Sequence, residues 1–184
     1  MLISNYSTGQ LIISFEDSTL DNWAQYPENR WIISSDEPLG ENYSLRHYYD
    51  NSENSRDRIS CPFTADFTGK QVTWRFQVRY DYNPSGSNNW GIFIMADTSS
   101  PEMHPSGSVD GYMIGVNYSG SDDMLKLWKI VSGSGYEVIN TQFNWQEEIS
   151  PGTTAGIEVQ RSPEGLWMIR VDKNGGFDNL SLAG

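Results

Sequence analysis

Alternation is the feature that most narrows what this chain can become. Trp74, Phe76, Val78 and Tyr80 are interleaved with Thr73, Arg75, Gln77 and Arg79. A period of two sends successive side chains to opposite faces of a strand, so one face packs on a core and the other stays wet. The same rhythm recurs in Tyr112, Ile114, Val116 and Tyr118, in Leu125 and Leu127 before Lys129, and in Ile157 and Val159. Trp167, Ile169 and Val171 repeat it once more, while 90–96 is continuously apolar and reads as an interior strand. Shorter strands are predicted over 11–15, 31–34, 44–49, 58–63 and 177–182. Turn-forming residues separate these runs, among them Asn83-Pro84-Ser85-Gly86, Ser132-Gly133-Ser134-Gly135 and Ser162-Pro163-Glu164-Gly165. Residues 161–167 read as a hairpin connection, and 18–25 could begin a short helix with Ser18 as its cap. Many short strands without helices mean a sandwich or barrel, and no repeat period points to a propeller. The expected fold is therefore all-β, an antiparallel jelly roll of two sheets packed face to face.

Composition sets the outer limits. A chain of 184 residues suits one domain, 1–184. Its aromatic content of 13% argues against disorder although apolar residues reach only 37%. The formal charge of −12 repels phosphate and excludes nucleic acid as an expected partner. No apolar run approaches the ~18 residues of a spanning helix, so no membrane span is expected. Cys61 is alone, which removes an internal disulfide and leaves a buried structural thiol as the expectation. Residues 1–9 lack the basic and long apolar regions of a signal peptide, so an exported protein would rely on a signal not present in this chain.

Catalytic patterns are sparse. A retaining glycosidase on a sheet wants two carboxylates on one strand face, and no two acidic residues stand two positions apart. The G-x-S-x-G elbow is missing, and His47 and His104 are too few for a histidine-rich metal site. The acidic doublets Glu16-Asp17, Asp36-Glu37, Asp122-Asp123 and Glu147-Glu148 read first as solvated loop charge. A hard-cation site built from distant loops is the sharper alternative. Asn5, Asn42, Asn117 and Asn179 each begin an N-glycosylation sequon, read as chance matches in so Asn- and Ser-rich a chain.

Several short stretches carry a family resemblance. Phe15-Glu16-Asp17 with Trp23, Trp31-Ile32-Ile33-Ser34, Tyr43-Ser44-Leu45 and 57–62 resemble the front half of concanavalin A-like jelly rolls. The stretches 111–116, 125–129 and 161–167 are similar to the rear half. The resemblance extends to adhesin-type and choice-of-anchor modules, and most nearly to the domain that precedes a lamin-tail module in bacterial surface proteins. It implies a curved two-sheet sandwich, extracellular or cell-surface placement and glycan binding. Glucanases of this fold carry an E-x-D-x-E strand, from which this chain departs. By position in the fold, the resemblance also implies calcium (Ca2+) held by Glu16 and Asp178, where the first and last strands meet.

The expected function is a non-catalytic carbohydrate-binding or adhesion module, monomeric within a larger surface protein, whose partner is a polysaccharide or surface glycan. Arg75, Gln77 and Arg79 would donate to hydroxyls from the wet face. Asn89, Trp90 and Trp128 would add an amide and stacking rings, Trp128 because it falls out of phase with Leu125 and Leu127. A structural or protein-interaction spacer is the alternative. A glycoside hydrolase or lyase, with carboxylates from separate strands, is the third.

Overall fold

The computed structural model describes residues 11–50, 54–64 and 67–184. Its first four strands are short: β1 (Ala24–Tyr26), β2 (Trp31–Ser34), β3 (Ser44–His47) and β4 (Arg58–Ser60). Longer ones follow: β5 (Val72–Arg79), β6 (Trp90–Ala96), β7 (Gly111–Val116), β8 (Met124–Val131) and β9 (Ser134–Asn144). The chain ends with β10 (Thr154–Arg161), β11 (Trp167–Asp172) and β12 (Ser181–Leu182). One helical turn, α1 (Trp145–Glu148), is capped by Asn144, whose side chain accepts from the Glu147 N–H. None of the described helices is long and apolar enough to cross a membrane.

Two four-stranded antiparallel sheets dominate, in the orders β12-β11-β10-β5 and β6-β7-β8-β9. The ribbons β1-β4 and β2-β3 stand beside them. The sheets pack face to face because alternation gives each an apolar inner side. Ala155, Ile157 and Val159 from β10, with Ile169 and Val171 from β11, meet Ile114, Val116, Leu125 and Leu127 from β7 and β8. Trp145 of α1 is 1% exposed and plugs one end of this layer. The architecture is an all-β sandwich. The predicted hairpin over 161–167 forms as read: Arg161 pairs with Trp167, and Gly165 takes φ 89°, the left-handed region that favours glycine.

Three local expectations fail for physical reasons. Residues 18–25 form no helix. Asp17 and Thr19 accept the N–H groups of Thr19 and Asp21, which favours turns, and a helix this short does not offset its nucleation cost. The chain instead enters β1, paired with β4. Residues 11–15 form no strand, and β12 retains only two residues of the predicted 177–182. Sequence reading missed β9, the longest strand. Its register shifts opposite Leu127/Trp128 and again opposite Met124/Lys126, and Gln142 adopts φ 59° with its N–H on the Asn140 side chain. Each irregularity resets the period of two.

The expectation for Trp128 requires correction. It does point away from the main core, as its phase indicated, yet it is only 2% exposed. Val109, Met113 and Ile130 surround it, with Phe93, Met103 and Tyr118 against the cluster. The loop 97–110 folds over this outer face. Asp110 anchors it, accepting the Ser132 N–H at 2.6 Å while its own N–H reaches Asp97, and Tyr118 Oη donates to Gly133 O at 2.6 Å. Trp128 belongs to a second small core. Replacing it by alanine should destabilise the domain by about 3–5 kcal/mol, the usual cost of emptying a large aromatic site. A urea titration of Trp128→Ala that matches wild type would contradict this placement.

Candidate functional site

The outer face of β5, β10 and β11 is built in cross-strand rows. Arg75 on β5 stands opposite Glu158 on β10, which stands opposite Arg170 on β11. The next row sets Thr73 beside Gln160 and Met168, and the row on the other side sets Gln77 beside Gly156 and Asp172. Inner-facing Ile157 and Val159 place Glu158 and Gln160 outward by alternation.

Glu158 is the centre of this face and is 2% exposed. Arg75 Nε and Nη2 both lie 2.7 Å from its Oε2. Its Oε1 accepts from Arg170 Nη1 at 2.6 Å and from Gln160 Nε2 at 3.0 Å. A carboxylate this deep needs such donors, since an unpaired buried charge costs several kcal/mol. The consequence is mechanical. Two guanidiniums and one amide are locked in orientation, while Arg75 remains 55% exposed.

A loop crosses the adjacent row. Gly156 permits it: a Cβ there would lie 1.7 Å from Gly176 O and 3.4 Å from Phe177 Cδ1. Phe177 therefore rests on the sheet, its ring centroid 5.8 Å from the Arg75 guanidinium. Asp172 fastens the loop by accepting the N–H groups of Asn174 at 2.9 Å and Asn179 at 3.0 Å. The surface left open combines an aromatic ring, planar guanidiniums and an amide.

Of the residues predicted from sequence, Arg75 stands on this outer face, paired with Glu158 and still exposed. Gln77 is spent on Gly175 O beneath the loop. Arg79 is 19% exposed, with Glu37 at 3.4 Å and Asp81 at 3.8 Å. Asn89 is exposed and donates to Gly86 O at 3.3 Å, holding its own turn. Trp90 is half-buried against the main core, 4.7 Å from the Trp145 ring, so it serves packing rather than display. Lys126, two residues before Trp128, is buried between Asp122 at 2.5 Å and Glu137 at 3.1 Å. The predicted residues do not share one face: Arg75, Gln77 and Arg79 lie on β5 of one sheet, Asn89 and Trp90 at the start of β6 of the other, and Trp128 on β8.

Glu16 accepts from the Asn42 side chain and from the N–H groups of Asn42 and Tyr43, each at 3.0 Å. The Asn42 amide, with those N–H groups, holds the Glu16 carboxyl below its ordinary range. Asp178 is exposed in the loop after β11. Among the described residues no three His, Cys, Asp or Glu side chains gather as a metal site would need. Cys61 is half-buried and free, and burial pushes its thiol up. The sequon at Asn5 lies outside the described residues. Asn117 is 2% exposed and bonded to Asp123.

Sequence reading missed Glu158, Gln160, Arg170 and Phe177. Alternation around Ile157 and Val159 could have placed Glu158 and Gln160 outward, but nothing local announces that β10 sits between β5 and β11. No family model, curated protein or solved structure matches the chain.

The N–H groups of Asn174 and Asn179 hold the Asp172 carboxyl below its ordinary range. A carboxyl depressed by folding contributes stability that is complete above its unfolded value of ~3.9 and is lost as pH falls through the folded value. Acidification below about pH 4 should therefore loosen the 173–179 loop. The Asn179 amide resonance reports it, with an acid-dependent shift that Asp172→Asn removes. A flat Asn179 titration in wild type would refute the anchoring role.

Proposed function

We propose that this domain is a non-catalytic carbohydrate-binding or adhesion module, and that a polysaccharide or surface glycan lies across the outer face of β5, β10 and β11. One observation carries the reading. Glu158, itself buried, holds Arg75, Arg170 and Gln160 as pre-oriented planar donors beside the Phe177 ring. Preorganisation matters because a sugar gains little from a donor that must first be ordered. The sandwich is compatible with the concanavalin A-like jelly roll that the sequence resembles, and that resemblance supports work at the cell surface or outside the cell. The domain then acts as a monomer within a larger surface protein. Calcium stays part of the proposal only through the resemblance.

A spacer role draws on a different observation: Leu11, Ile12 and Ile13 are 46%, 72% and 44% exposed, an apolar run that a neighbouring module would cover. A glycan screen separates the two. The carbohydrate reading expects at least one binder, and Gln160→Ala should weaken it about fivefold, the loss of one hydrogen bond of ~1 kcal/mol. Its melting temperature should stay near wild type because Glu158 keeps both arginines. A broad screen without a binder would hand the domain to the spacer reading.

A further inference from the structure

We infer that the glycan is acidic, its carboxylate or sulfate groups docking against Arg75 and Arg170; this rests on the carbohydrate reading above and names the ligand class for the same face. The central row sets two guanidiniums against one carboxylate, a local excess of one positive charge in a chain of −12. Two of the nearby acids are engaged elsewhere, while Asp178, next to Phe177, is exposed. Asp172 accepts from backbone N–H groups, and Glu148 binds Lys173. Glu37 and Asp81 lie against Arg79 with one negative charge in excess. Charge along β5 therefore runs from positive at Arg75 to negative around Arg79, and an anion is favoured only at the Arg75 end.

The shape of the donors agrees with the charge. Arg75 spends Nε and Nη2 on a single oxygen of Glu158, which fixes the plane of its guanidinium and turns the outer side to solvent. A planar, fixed guanidinium suits an oxyanion better than a freely rotating ammonium would. Arg170 is held one strand over by a single contact, Nη1 to Glu158 Oε1 at 2.6 Å, its side chain 30% exposed. Phe177 offers an apolar face to the ring that carries the anion. The net charge of the whole protein opposes a polyanion at long range. At physiological ionic strength the screening length is ~8 Å, so that repulsion fades while a direct guanidinium contact persists.

Calorimetric titration at about 0.15 M salt tests the inference. The probes are oligogalacturonate, its methyl ester, dextran sulfate and unmodified dextran. At least one acidic probe should bind about tenfold tighter than its neutral counterpart, and about 1 M salt should erase most of the difference. Preference for oligogalacturonate identifies carboxylate as the anion and preference for dextran sulfate identifies sulfate; either supports the inference. Arg75→Gln should abolish the preference. Arg75→Lys keeps a cation beside Glu158 and should retain part of it, which guards against a result caused by misfolding. Equal binding of acidic and neutral probes would overturn the acidic class and leave the carbohydrate reading standing. A preference that survives Arg75→Gln in a folded protein would overturn the site. Absence of binding to these probes and to every glycan in a broad screen would bring down both.

Discussion

Every strand that buries one face must do something with the other, and that constraint organises the whole molecule. The inner faces of the two sheets solve it together, Ile157 and Val159 meeting Leu125 and Leu127 across the sandwich. The outer faces diverge. On the β6–β9 side, Met113, Trp128 and Ile130 are apolar and need a cover, which the 97–110 loop supplies with Val109 at its centre. On the β5, β10 and β11 side the outward residues, Met168 apart, are mostly charged or polar, so the face can stay largely open. One sheet gains a second core and the other keeps an exposed polar face. Both outcomes follow from which residue types fall on the even and odd positions.

The open face depends on electrostatics of an unusual balance. Buried charge is generally a burden on stability, repaid only when its partners are complete. Glu158 has them on both flanking strands, and the pairing ties β5, β10 and β11 together across the face they share. Arg75 and Arg170 still reach solvent, so the cost of desolvating the cations is only partly incurred. The proposed binding surface needs this compromise: donors rigid enough to be oriented, yet exposed enough to be used.

The acidic excess is handled locally. Doublets that read as solvated loop charge each find partners in the folded chain. Asp36 pairs with Arg46, Glu37 lies near Arg79, Asp122 holds Lys126 and Glu148 meets Lys173. Asp123 is fixed by Asn117 and Glu16 by the 42–43 backbone. Exposed pairs such as Asp36–Arg46 contribute little to stability. Their role is positional, fixing where loops lie relative to the strands.

The sequence by itself determined the all-β class, the long strands β5 to β8, β10 and β11, and the turn at Gly165, because alternation and glycine at a left-handed turn are local properties. It also determined which side chains of each strand share a face, which is why Arg75 and the phase of Trp128 were legible. Only the tertiary structure decided what covers each face. Trp128 is buried because a loop 18 or more positions earlier in the chain lies on it, and Gln77 is spent because Gly156, far away in sequence, lets another loop settle there. Likewise β9 hid behind its bulges, and Glu158 became the centre of the candidate site only when strand order set it between two arginines. Burial and charge pairing across strands depend on register and neighbours, and these are fixed by packing of the whole chain rather than by any window of it.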